Sequence, residues 1–163
     1  MGAPKKYQYT IDLAQIGPTG SMHDLALRSI IRDDHHALAT LMLDAYIGTI
    51  DYEGEGLEEA RKEVESFLDD RPLLNHSFAV VENEHLLSAC LLTTWTDGNP
   101  FIGYVMTDPD HKNRGLAKAC LLESLSSLAA AGEATVNLFI TEGNKPSERL
   151  FTSIGAHRVP LDN

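Results

Sequence analysis

The stretch Val105–Leu121, VMTDPDHKNRGLAKACL, decides how the chain is read. It leaves a strand-like end, turns at Asp108-Pro109-Asp110, gathers Lys112, Arg114 and Lys118 around Gly115, and opens at once into an apolar helix pattern. No acidic residue lies between His111 and Leu122, in a chain whose formal net charge is −11. A strand, turn and helix in that order present backbone N–H groups that have no intrahelical partner, and the helix dipole adds partial positive charge there. A phosphate satisfies both, and glycine lets it come close. Cations at that end oppose the dipole, so an incidental cluster is disfavoured. The stretch reads as a diphosphate site. It is neither GxxxxGK[ST] nor GxGxxG, and Gly54-Glu55-Gly56 would repel an anion with its own glutamates.

Outward from this turn the elements alternate. Upstream, Ser77–Glu82 and His85–Trp95 read as a hairpin around Asn83-Glu84, and Phe101–Thr107 as a strand after the turn Asp97–Pro100. Downstream come a helix from about Leu116 to Ala131, a strand Thr135–Ile140, a short helix Pro146–Ile154 and a last strand at Arg158–Val159. Nearer the start, a strand ends at Ile30-Ile31. Asp33 or Asp34 then caps a helix with Leu38, Leu41, Met42 and Ala45 on one face. Leu57, Ala60, Val64, Phe67 and Leu68 continue the spacing in a second helix, which stops before Pro72. Strand–helix–strand from Phe101 to Ile140 implies parallel neighbours, and the hairpin implies antiparallel ones. The expected fold is therefore α/β (α+β): a mixed, mostly antiparallel sheet of six to seven strands flanked by helices.

At 163 residues the chain fits one domain, expected at 25–163. Residues 1–24, rich in Pro and Gly around a short strand at Tyr7–Ile11, are set apart as an N-terminal extension, with a junction or alternative start near Met22. A pI near 4.9 disfavours nucleic-acid partners. No apolar run would cross a membrane and no export signal is visible, so a cytoplasmic protein without membrane partners is expected. Cys90 and Cys120 read as buried thiols. His35-His36 diverge on a helix, the other histidines lack ligand spacing, and no metal is expected.

VMTDPDHKNRGLAKACL resembles the coenzyme A segment of the GNAT superfamily of acyl-CoA N-acyltransferases, Arg/Gln-x-x-Gly-x-Gly/Ala. Gly115 and Ala117 match, and Lys112 stands at the Arg/Gln position. NKPSERLFTSIGAHR is similar to the family's second signature. Asn144, Leu150 and Gly155 match there, with Phe151 where tyrosine is usual and Ala156 where phenylalanine is usual. The resemblance implies acetyl transfer from acetyl-CoA to a primary amine in a ternary complex, without a metal. It places the diphosphate on Lys112, Asn113, Arg114, Gly115, Leu116, Ala117 and Lys118. The pantetheine arm then runs along Val105, Met106 and Thr107, with Asn144 and Phe151 beside the cofactor. A backbone N–H near Val105 or Met106 would polarise the thioester carbonyl.

Glu142, Asp97 and Asp51 are candidates for the general base, acting through water. The tyrosine missing at Phe151 often serves the departing thiolate, a task that Tyr104 or Tyr46 could take over. An alternative reading is a non-catalytic acyl-CoA-binding or sensor domain. The acceptor is expected to be a small-molecule or peptide amine. The acidic loop Gly48–Gly56 suits a polyamine, an aminosugar or a lysine side chain, and Trp95 and Phe101 either line that site or belong to the core. The family also admits a homodimer.

Overall fold

The computed structural model describes residues 4–16 and 25–160. In chain order the elements are β1 (Lys6–Asp12), β2 (Leu27–Ser29), α1 (His35–Tyr46), α2 (Leu57–Asp69), β3 (Phe78–Glu82), β4 (His85–Thr94), β5 (Pro100–Thr107), α3 (Leu116–Ala130), β6 (Thr135–Thr141), α4 (Lys145–Ser153) and β7 (His157–Arg158). The seven strands form one sheet in the order β2-β3-β4-β5-β6-β1-β7, and every neighbouring pair but β5–β6 is antiparallel. The expected mixed sheet is present.

Two apolar layers sandwich this sheet. Leu116, Leu121, Leu125 and Leu128 of α3 pack with Phe151 of α4 and with Val136, Leu138 and Ile140 of β6. On the opposite face, Leu38, Leu41 and Met42 of α1 and Val64, Phe67 and Leu68 of α2 pack with Ala89, Leu91 and Met106. The helical spacing read from the sequence is thus spent on burial. The thiols of Cys90 and Cys120 are buried, one of them in contact range of Ser124 and the other of Ser88, and desolvation pushes both up to about 12.

Residues 6–12 stand inside the sheet, although the sequence reading sets 1–24 apart from the domain. β1 pairs along its full length with β6, from Lys6↔Thr141 to Asp12↔Thr135, and on its other edge with β7. The guanidinium of Arg158 lies 3.4 Å from the centre of the Tyr7 ring. Pro4 precedes this strand without interrupting it, and no local signal could reveal a partner some 130 residues away. The junction near Met22 lies outside the described residues.

Two irregularities in β5 prepare the site. Leu91 pairs with Tyr104 but Leu92 pairs with Ile102, so Gly103 is an extra residue, a β-bulge. The bulge breaks the two-residue alternation and sends Ile102 and Val105 to the α3 side, Tyr104 and Met106 to the α1–α2 side. The parallel ladder between β5 and β6 has one pair, Phe101↔Asn137. Beyond it the strands share no ladder pair among the described residues, which leaves an opening toward their C-terminal ends.

Candidate active site

At the mouth of α3 the backbone is held by its own turn chemistry. Asp108 accepts from the Asp110 amide at 2.8 Å, with Pro109 at the first helical position of the short turn Pro109–His111. Asn113 has φ 65°, a left-handed conformation that asparagine tolerates, and Gly115 has φ 75° at the N-cap of α3. No side chain caps this helix. Among the described residues none accepts a hydrogen bond from the backbone amides of Asn113 to Lys118. A Cβ at Gly115 would meet nothing within 4 Å. Free donors, open space and a helix N-terminus coincide, so these residues fit a diphosphate.

The cations around it are not equivalent. Arg114 turns back toward β3: one guanidinium nitrogen lies 2.9 Å from His111 Nδ1 and the other 3.6 Å from Glu82. Lys112 and Lys118 are exposed. Leu116 is buried and Ala117 half-buried, so their contribution to an anion is the main chain.

Along β5, Met106 is 2% exposed and belongs to the α1–α2 core. Val105 packs toward α3, and the Thr107 hydroxyl lies 2.9 Å from Ser88 Oγ, which itself donates to the Met106 carbonyl. Side chains here are committed to packing. What β5 offers toward the opening is its backbone polar groups, which have no β6 ladder partner there. Phe151 is 6% exposed in the core under α4.

The candidate proton acceptors separate. Asp97 lies exposed beyond the start of β5, at the opposite end of that strand from the α3 mouth, and accepts from the Asn99 amide at 2.9 Å. That bond holds its carboxyl below the usual range and weakens it as a base. Glu142 is exposed just after β6, where its amide donates to Lys5. Asp51 reaches across from the loop after α1: Thr141 Oγ1 donates to it at 2.7 Å and Asn144 Nδ2 at 3.1 Å. Asn144 also caps α4, its Oδ1 accepting from the Ser147 amide at 3.3 Å.

A further carboxylate joins them that the sequence did not single out. Glu63, on α2, accepts a hydrogen bond from the Tyr104 hydroxyl on β5. Burial, then the bond to and charge of Glu63, raise the Tyr104 phenol well above its ordinary value. Burial, then the charges of Asp51 and Glu63, push Tyr46 up to about 12. The two tyrosines named as hydroxyl sources therefore sit together with two carboxylates on the α1–α2 side of the β5–β6 opening. Glu63 is one of several glutamates on α2, and nothing in its local sequence marks it. Only its placement opposite Tyr104 does.

Residues 84–160 match the family model described as FR47-like protein. A GCN5-related N-acetyltransferase from Sphaerobacter thermophilus is similar with TM-score 0.73 and 22% identity, covering 94% of this chain. The chain spans 48% of that protein's length. PaiA N-acetyltransferase from Thermoplasma acidophilum, solved in complex with coenzyme A, matches at TM-score 0.66 and 16% identity, over 85% of this chain and 93% of its own. The ribosomal-protein-S18-alanine N-acetyltransferase from Escherichia coli gives TM-score 0.66 and 17% identity, over 85% and 96%. No curated protein matches the chain in sequence. The chain thus has the fold of the solved GCN5-related N-acetyltransferases, and its residues 84–160 match the model of the FR47-like proteins.

Proposed function

We propose that this protein is an N-acetyltransferase that moves an acetyl group from acetyl-CoA to a primary amine. The observation that carries this is the set of amides from Asn113 to Lys118 with no acceptor among the described residues, at a helix mouth adjoining an open strand pair. Bound acetyl-CoA would supply a thioester whose acyl carbon passes to the amine, forming a C–N bond, breaking the C–S bond and releasing the amine's proton. The chain's residues supply the rest. The amides of Asn113 to Lys118 hold the diphosphate, with Lys112 and Lys118 adding charge. Backbone N–H groups of β5 facing the opening hold the arm and polarise the carbonyl. Asn144 borders the crevice and keeps Asp51 in place.

The amine's proton needs an acceptor, because an alkylammonium near pKa ~10 is mostly charged at neutral pH. Glu63, linked to Tyr104, lies on the side from which an amine can approach, and we assign it that role through the phenol or a water. Glu142 and Asp51 stay as secondary candidates at the same end of the sheet.

A second reading, an acyl-CoA-binding domain without turnover, draws on Phe151, which offers no hydroxyl and is packed in the core. Calorimetric titration with acetyl-CoA tests both. Absence of binding by folded protein removes both readings. Thiol release across a broad amine panel separates them, with turnover expected for the transferase and none for the binding domain.

A further inference from the structure

Three aromatic rings on the α1–α2 side of the sheet belong to neither core. Trp95 and Phe101 stack with centroids 4.8 Å apart, and Phe139 meets each of them at 5.6 Å. Phe139 remains 44% exposed despite these ring contacts, so the cluster presents an apolar surface to solvent. The bulge at Gly103 sets Phe101 on the same face as Tyr104, and alternation along β6 sets Phe139 on the same face as Thr141. The rings therefore run directly into the carboxylate cluster: Tyr104 carries Glu63, and Thr141 carries Asp51. Phe139 and Thr141 are two residues apart on β6, roughly 7 Å along the strand.

Two more observations point to a ligand here. The half-buried Tyr46 side chain makes no hydrogen bond through its hydroxyl among the described residues, although it lies within electrostatic reach of both Asp51 and Glu63. Ile47 and Ile50, in the loop that carries Asp51, are 52% and 51% exposed, and Ile50 Cδ1 would come within 3.9 Å of a Cβ at Gly143. That loop thus lies over the C-terminal end of β6 with its apolar residues uncovered. An ammonium offers three donors to two carboxylates and a free phenol oxygen. The apolar surface beside it rewards an apolar body and gives nothing to a hydroxyl-rich or multiply charged one.

We propose that this face is the acceptor subsite, and that the acceptor is a primary amine on an aromatic body joined by a short linker. Glu63 and Asp51 hold the ammonium, and the Trp95, Phe101 and Phe139 rings hold the body. This rests on the acetyltransferase reading, and the test keeps the two apart. Acetyl-CoA is first titrated into wild type, Phe139→Ala and Glu63→Gln by calorimetry, and the same affinity is expected for all three. Each protein, saturated with coenzyme A, is then titrated with 2-phenylethylamine, 2-phenylethanol, ethanolamine and spermidine. Wild type is expected to bind 2-phenylethylamine at least about tenfold more tightly than the other three, and each substitution to weaken that binding about tenfold. Equal or tighter binding of ethanolamine or spermidine, indifference to Phe139→Ala, or no amine binding overturns the subsite while leaving the cofactor site standing. Failure of wild type to bind acetyl-CoA removes both.

Discussion

At the scale of single residues, Gly115 joins an unusual backbone conformation to the proposed diphosphate site. Its φ of 75° costs an L-residue about 1 kcal/mol, yet a Cβ there touches no protein atom within 4 Å. Gly115→Ala should therefore lower stability by only about 1 kcal/mol in urea denaturation. The new methyl group intrudes on the space beside the free amides, so acetyl-CoA affinity should fall about tenfold or more by calorimetry. Unchanged affinity would mean that the anion lies elsewhere. The glycine and its cations are legible in sequence because they act within one turn. The different state of Arg114, drawn toward Glu82 and His111, is not, since it depends on where the β3–β4 hairpin comes to rest.

Among elements, the junction of β2 with α1 shows how a local expectation is rearranged by packing. The sequence offers Asp33 or Asp34 as the cap of α1, but at Asp34, the N-cap residue, no side-chain cap bond forms. Its carboxylate instead accepts two guanidinium bonds from Arg28 at 2.8 Å and the Ile31 amide at 2.9 Å. Burial of Asp34 opposes ionisation, while the Arg28 and Ile31 bonds favour it, and the net effect lowers its pKa. A lowered folded pKa contributes stability above the unfolded value of ~3.9 that is lost as pH falls through the folded one. Asp34→Asn should destabilise by about 2 kcal/mol at pH 7. That difference from wild type should shrink as pH drops below ~4, measured by urea titration at each pH. A difference that stays constant down to pH 2.5 or so would show that the charge contributes nothing.

For the whole molecule, the decisive fact is that the first described strand completes the sheet. β1 lies between β6 and β7, and Ile11 and Leu13 are each 1% exposed. A chain begun at Met22 would bare the edge of β6 and remove both side chains from the core. At about 1.5–3 kcal/mol for each buried side chain, the loss is about 4 kcal/mol before any ladder bonds are counted. Such a chain should melt at much lower temperature by circular dichroism, or fail to fold. An unchanged melting temperature would show that β1 is dispensable. No helix among the described residues is long and apolar enough to cross a membrane.

Legible along the chain are the elements, their order, the mixed sheet and the cationic glycine turn at the mouth of α3. Apolar periodicity, turn residues and a glycine at a helix mouth act over a few neighbouring positions, and so they can be read in one dimension. Which carboxylates come together is set by long-range packing. Asp51 meets Thr141 across 90 residues, Glu63 meets Tyr104 across 41, and Asp97 is left at the far end of its strand. It also placed β1 in the sheet and put Gly103 in a bulge that turns Tyr104 toward Glu63. Contacts between residues so far apart arise from the packing of two helices on one face of the sheet, and no local pattern encodes which charged side chain that packing brings to the opening.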